Sequence, residues 1–98
     1  SGIYVSPIEV ESALITHEAV LEAAVIGRED DDKLIKPAAY VVLKPGITHS
    51  DALADELKAH VKKLLAPYKY PRWFEFVNEL PKTATGKIQR FKLRATHK

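Results

Sequence analysis

The sequence predicts a small α+β fold, a mostly antiparallel sheet with two or three helices packed against it, on three observations. Its 98 residues are 46% apolar and 29% charged, a balance that supports one folded domain over residues 1–98 and argues against wholesale disorder. A long stretch after Ser50 carries leucine and valine at helical spacing. Three short runs rich in β-branched or aromatic residues are separated by turn-forming residues. Together these features describe a layered α+β unit rather than a bundle or a sandwich.

The elements follow in chain order. Ile3-Tyr4-Val5 is a short extended piece leading into a helix expected over about residues 7–16. Ser6 reads as its N-cap, Pro7 suits the first helical position, and Glu9 completes a Ser-x-x-Glu capping box. Ile8, Ala13, Leu14 and Ile15 are its expected apolar face. Val20 to Gly27 reads as a strand through Val20, Leu21, Val25 and Ile26, although its alanines also permit helix. Arg28-Glu29-Asp30-Asp31-Asp32 is a charged turn, and Lys36 to Leu43 a second strand, so the pair forms a hairpin. Lys44-Pro45-Gly46 ends that strand. Ser50 or Asp51 then caps the long helix, which carries Leu53, Leu57, Val61, Leu64 and Leu65 and ends near Ala66-Pro67. Pro67 and Pro71 bracket a stiff Tyr-Lys-Tyr connector. Trp73-Phe74-Glu75-Phe76-Val77 is a strand by its side-chain content, and a basic helix is expected from about Gln89.

Composition excludes several functions. With no cysteine, a disulfide scaffold, a thiolate zinc site and a cysteine nucleophile are ruled out. No apolar run approaches the roughly 20 residues of a membrane span, and no signal-peptide core opens the chain. A cytoplasmic protein, or a piece of one, is therefore expected, too small to enclose a large substrate cleft alone. The net charge of +2 conceals an asymmetry: residues 1–61 carry −6 and residues 62–98 carry +8, with no acid after Glu79. Such a tail suits an anionic partner, or is simply a solvated basic terminus.

Pro81-Lys82-Thr83-Ala84-Thr85-Gly86-Lys87 concentrates two hydroxyls, a glycine and two ammonium groups. It is not a phosphate-binding P-loop, because Pro81 stands at the first glycine position and Ile88 follows Lys87. What remains is a flexible loop in which Gly86 is free to take a positive φ and Lys87 is presented as a mobile point charge. Taken alone, a surface lysine beside a glycine is ordinary solvated surface.

The wider string carries more. Leu80-Pro81-Lys82-Thr83-Ala84-Thr85-Gly86-Lys87-Ile88-Gln89-Arg90 resembles the last core motif of the adenylate-forming superfamily of acyl- and aryl-CoA synthetases. Its flanks agree, with Tyr68-Lys69-Tyr70-Pro71-Arg72 before it and Phe91-Lys92-Leu93-Arg94 after it. Ser1-Gly2-Ile3-Tyr4-Val5-Ser6-Pro7-Ile8-Glu9-Val10-Glu11 is similar to the segment that follows the superfamily's interdomain hinge. The resemblance spans essentially the whole chain and is greatest to the benzoate-CoA ligase group.

The resemblance implies the mobile C-terminal domain of a two-domain ligase, whose large N-terminal domain and hinge lie outside this sequence. Such an enzyme joins an aromatic carboxylate to ATP, with Mg²⁺ carried by the nucleotide and no metal ligand from this chain. The small domain then rotates, and coenzyme A displaces AMP to give a thioester. Lys87 matches the lysine that enters the site for adenylation, with Thr83, Thr85 and Gly86 shaping the nucleotide-facing loop. Gly2 matches the glycine that lets the pantetheine arm pass close to the backbone, although Ser1-Gly2 also reads as an expression-vector remnant. Lysines of this motif are acetylated in related synthetases, so Lys87 is also a candidate acetylation site and a protein acetyltransferase a candidate partner. Gly27-Arg28-Glu29-Asp30 is similar to the hinge string but follows Ile3–Glu11 instead of preceding it, and reads as an ordinary turn.

Other features have plainer readings. Lys69, Arg72, Arg90, Lys92 and Arg94 either meet the phosphates of coenzyme A or the large domain, or lie in solvent. Thr83 and Thr85 also suit backbone hydrogen bonding within the loop. Trp73, Phe74 and Phe76 are read as core rather than as a base-stacking platform. His17, His49, His60 and His97 lack metal-ligand spacing, and Asp30-Asp31-Asp32 lacks the remaining ligands of a calcium loop. Two alternatives keep other destinations open: the same domain serving another acid (acetyl, fatty acyl or amino acid), and an independent nucleic-acid or anion-binding module built on the basic tail. The expectation for the ligase reading is no nucleic-acid partner and no membrane.

Overall fold

The computed structural model describes residues 7–65, 70–89 and 92–93. Five elements follow one another: α1 (Pro7–Ile15), β1 (Val20–Glu29), β2 (Ile35–Leu43), α2 (Asp51–Leu64) and β3 (Trp73–Phe76). The strands form one sheet in the order β1-β2-β3. β1 and β2 pair antiparallel as the expected hairpin, with Val25 opposite Ala39. β3 joins the other edge of β2 in parallel, with Ala39 opposite Phe74. The sheet is thus mixed, and α2 supplies the crossover that a parallel pair requires.

Both faces of β2 are covered, which is why Pro37 to Val42 are buried without alternation. On one face Val10, Ala13 and Leu14 of α1 and Leu57 and Val61 of α2 pack with Ala23, Val25, Ala39 and Val41. On the other, Ala24, Ile26, Ala38, Tyr40 and Val42 meet Leu80 and Leu93, with Trp73, Val77 and Ile88 at the margin. Phe74 and Phe76 are half-buried against the helical side.

α1 corrects one expectation. Ile8 and Ile15 are 66% and 50% exposed, while Val10 is fully buried. At about 100° per residue Val10, Ala13 and Leu14 share a stripe, and Ile8 and Ile15 share the opposite one. Ser6, the expected cap, lies outside the described residues. Beside the inward stripe, buried Glu11 accepts a 2.7 Å hydrogen bond from the Val25 amide, covering the open edge of β1.

α2 starts as expected: Ser50 is extended (φ −162°) and its hydroxyl accepts from the Leu53 amide at 3.1 Å. Leu64, its last residue, is half exposed, leaving Leu57 and Val61 as the buried pair. The expected end at Ala66-Pro67 and the Tyr68-Lys69 part of the connector lie outside the described residues, as do the tail's residues beyond Leu93.

The charged turn is shorter than the sequence suggested, because Arg28 and Glu29 continue β1. The exposed tip of a hairpin tolerates charge, so polarity there does not end a strand. The turn itself is organised by Asp30, whose carboxylate accepts from the amides of Asp32 (2.9 Å) and Leu34 (3.0 Å), with Lys33 at φ +62°. The Leu34 amide, aided by the Asp32 amide and the Lys36 and Arg72 charges, holds the Asp30 carboxyl below its ordinary range against the opposing effect of burial.

Candidate functional site

The segment after β3 forms a closed hairpin. Lys82 and Ile88 make an antiparallel bridge. The Gln89 amide donates to the Pro81 carbonyl at 2.8 Å, and the Thr83 amide to the Lys87 carbonyl at 2.8 Å. The Gly86 amide returns to the Thr83 carbonyl at 2.9 Å, with Gly86 at φ +87°, a backbone that glycine adopts without strain. The Thr83 hydroxyl oxygen accepts from the Lys87 amide at 3.1 Å and lies 2.9 Å from that of Thr85. Buried Leu80 and half-buried Ile88 hold the two ends of the hairpin to the sheet. Pro81–Lys87 is therefore a hydrogen-bonded turn rather than an open tether. Thr83 serves the backbone while Lys87 projects into solvent.

The two lysines of this turn have different surroundings. The Lys82 ammonium donates to Glu22 Oε2 of β1 at 2.5 Å, each side chain about one-third exposed. Among the described residues no carboxylate pairs with Lys87, which is exposed. A single uncompensated ammonium thus stands at the tip of a fixed turn. An anion approaching there meets a full positive charge that no neighbouring acid neutralises. Sequence reasoning missed Glu22; it lies 60 residues from Lys82 in a strand, and no local signal marks it.

The remaining predicted residues divide. Gly2, Lys69, Arg90 and Arg94 lie outside the described residues. Lys92 is exposed. The Arg72 guanidinium sits 4.0 Å from the Asp30 carboxylate and 6.0 Å from the Trp73 ring, and Arg28 lies 4.5 Å over the same ring. Trp73 is thus half-buried beneath cations, and Phe76 stacks on His49 with centroids 5.5 Å apart. A cleft of about 200 Å³ is lined by Lys36, Pro37, Tyr70 and Arg72, and the Lys62 ammonium lies 4.3 Å from the Tyr70 ring. A larger hollow of about 400 Å³, between the loop after β2 and the end of β3, includes none of the hairpin's residues from Leu80 onward.

His17 and His60 join the two helices. His17 Nδ1 accepts from the Ala19 amide at 3.1 Å, so its Nε2–H donates to Glu56 at 2.5 Å. His60 Nε2 lies 2.7 Å from the Thr16 hydroxyl. Among the described residues no group of three or more His, Cys, Asp or Glu is placed to hold a metal ion, and no helix is long and apolar enough to cross a membrane.

Comparison with known proteins shows which family the chain belongs to. The family described as AMP-binding enzyme C-terminal domain matches residues 9–87, a span that ends on Lys87. The benzoate–CoA ligase of Thauera aromatica is 78% identical over 95 residues, 97% of this chain and 18% of that protein. The 4-hydroxybenzoate–CoA/benzoate–CoA ligase of Rhodopseudomonas palustris is 57% identical over 95 residues, again 18% of its length. Among solved structures, the anthranilate CoA ligase AuaEII in complex with anthranoyl-AMP superposes with a TM-score of 0.94 at 59% identity, over 100% of this chain and 19% of that one. The chain thus spans less than a fifth of the length of each of these relatives.

Proposed function

Because this chain belongs to the AMP-binding enzyme C-terminal domain family, we propose that residues 1–98 are the mobile small domain of an AMP-forming aromatic acid–CoA ligase of benzoate type. The observation that carries this reading is the exposed ammonium of Lys87 on a closed turn, in a chain 78% identical to the matching part of a benzoate–CoA ligase. The acid pocket and most nucleotide contacts would belong to the large N-terminal domain, so this chain alone is expected to be nearly inactive.

In the first half-reaction a carboxylate oxygen bonds to the α-phosphorus of ATP while the bond to pyrophosphate breaks. Two anions are forced together, and negative charge builds on the phosphoryl oxygens. The Lys87 ammonium would bridge carboxylate and phosphate oxygens, stabilising that charge most in the transition state. Thr83 and Gly86 would act indirectly, by setting the turn from which Lys87 projects. Mg²⁺ would travel with the ATP phosphates, the described residues offering no cluster to hold it. In the second half-reaction the domain turns away, the thiol sulfur of coenzyme A attacks the acyl carbonyl, and AMP leaves. Gly2 would flank the pantetheine arm, and the basic cleft at Lys36 and Arg72 offers charge suited to the phosphates of coenzyme A.

We assign the enzyme to the cytoplasm and its thioester product to the degradation of aromatic acids. The exposure of Lys87 supports a second reading for the same residue. A protein acetyltransferase reaching it would remove its charge and with it the adenylation step. Mass mapping after incubation with an acetyltransferase and acetyl-CoA tests this; an unmodified Lys87 beside modified neighbours contradicts it.

The function is tested on the intact enzyme carrying this domain, supplied with ATP, Mg²⁺, coenzyme A and a panel of acids. Benzoate is expected to give AMP, pyrophosphate and benzoyl-CoA faster than acetate, a fatty acid or an amino acid does. A preference for one of those acids would overturn the benzoate assignment and leave the ligase class standing. No acyl-CoA from any acid would overturn both.

A further inference from the structure

We infer that Glu22 is a positioning residue for Lys87, acting through Lys82, an inference that rests on the adenylation role proposed above. Strand β1 contains a register shift: Val20 pairs with Leu43 and Glu22 with Val42, leaving Leu21 as the extra residue, half exposed. In an unbroken strand Val20 and Glu22 would share a face. Val20 lies in the helix-side core, so the bulge is what lets Val20 turn to the helices while Glu22 faces the other way. Regular alternation from Glu22 through Ala24 to Ile26 puts the Glu22 carboxylate on the face covered by Leu80 and Ile88.

The Glu22 carboxylate meets Lys82. Lys82 is bridged across the hairpin to Ile88, next to Lys87, and adjoins Thr83, whose amide and hydroxyl both engage the Lys87 backbone. The Glu22–Lys82 pair is a polar contact that ties this hairpin to the sheet. Apolar packing of Leu80 and Ile88 fixes the depth of the hairpin but resists sliding and tilting only weakly, because it is non-directional. A charge-assisted hydrogen bond sets direction as well. The pair also neutralises one of the turn's two ammonium groups, leaving Lys87 as the charge presented to substrate.

The test uses the intact enzyme and follows the two half-reactions separately: pyrophosphate release for adenylation, and thioester formation from supplied benzoyl-adenylate. Glu22→Lys and Lys82→Glu are each expected to slow adenylation by about threefold to tenfold, the scale of losing one half-exposed ion pair. Thioester formation is expected to be unchanged. The double exchange, Glu22→Lys with Lys82→Glu, is expected to recover most of the adenylation rate, because the attraction is restored with reversed ends. Glu22→Gln supplies a milder variant if the charge reversals fail to fold. Wild-type adenylation in Glu22→Gln, equal slowing of both half-reactions, or no recovery in the double exchange would each overturn the positioning role. Lys87→Ala, run alongside, separates the two readings: if it spares adenylation the role of Lys87 fails, and if it abolishes adenylation while Glu22→Gln is silent only the positioning role fails.

Discussion

Against one face of the sheet Val10 and Leu14 of α1 and Leu57 and Val61 of α2 are fully buried. On the other, a single hairpin, together with Leu93 and the partly buried Trp73, covers Ile26 and Tyr40. Ile88 there is only half-buried. The first face is regular secondary structure packed on regular secondary structure; the second is a loop holding a charged side chain out to solvent. Stability and the proposed chemistry thereby fall on opposite sides of one sheet, and substitutions on the two sides should have separable effects. Elements with few buried contacts are where proteins generally place their working loops.

The largest expected effect lies on the helical face. Leu57→Ala should destabilise the chain by about 2–5 kcal/mol, the range for deleting a fully buried leucine side chain, as read by urea or thermal unfolding. On the hairpin face, Ile88→Ala should cost only about 1 kcal/mol, since much of that side chain is already hydrated. A cost for Ile88→Ala equal to that of Leu57→Ala would break the comparison. Gly86→Ala sharpens it: nothing crowds a Cβ at this position, so the cost is that of the positive φ alone, about 1–2 kcal/mol. In the intact enzyme it should slow adenylation more than thioester formation.

The smallest expected effect is at the hairpin tip, outside both faces. The Asp30 carboxyl is held below its ordinary value of 3.8 by the Leu34 and Asp32 amides. Its contribution to stability is therefore complete above that value and is lost as pH falls through the lower folded value. Acid unfolding of Asp30→Asn, which keeps the acceptor oxygen but not the charge, should show a weaker fall in stability below about pH 4. Identical acid profiles for the two proteins would contradict the assigned cause.

Much of the fold is legible in the sequence wherever a local rule suffices. The Ser50 cap and the spacing of Leu57 and Val61 mark α2, and the apolar runs around a charged turn mark the hairpin. Legibility stops where partners are distant. That β3 runs parallel to β2 depends on the route of the crossover, which no residue within β3 encodes. In α1 the expected apolar face holds at Ala13 and Leu14 and fails at Ile8 and Ile15, because apolar content alone favours two exposed isoleucines over the inward-pointing Val10. At the site, the importance of Lys87 comes from its resemblance to a family string, since an exposed lysine alone is background. Glu22 is invisible because its partner Lys82 lies 60 residues away along the chain.

The central claim is that Lys87 serves one half-reaction and not the other. In the intact enzyme with Lys87→Ala, pyrophosphate release from benzoate and ATP should fall by about 10²–10³, while benzoyl-CoA formation from supplied benzoyl-adenylate proceeds at the wild-type rate. Equal loss in both half-reactions, or full retention of the first, would contradict it.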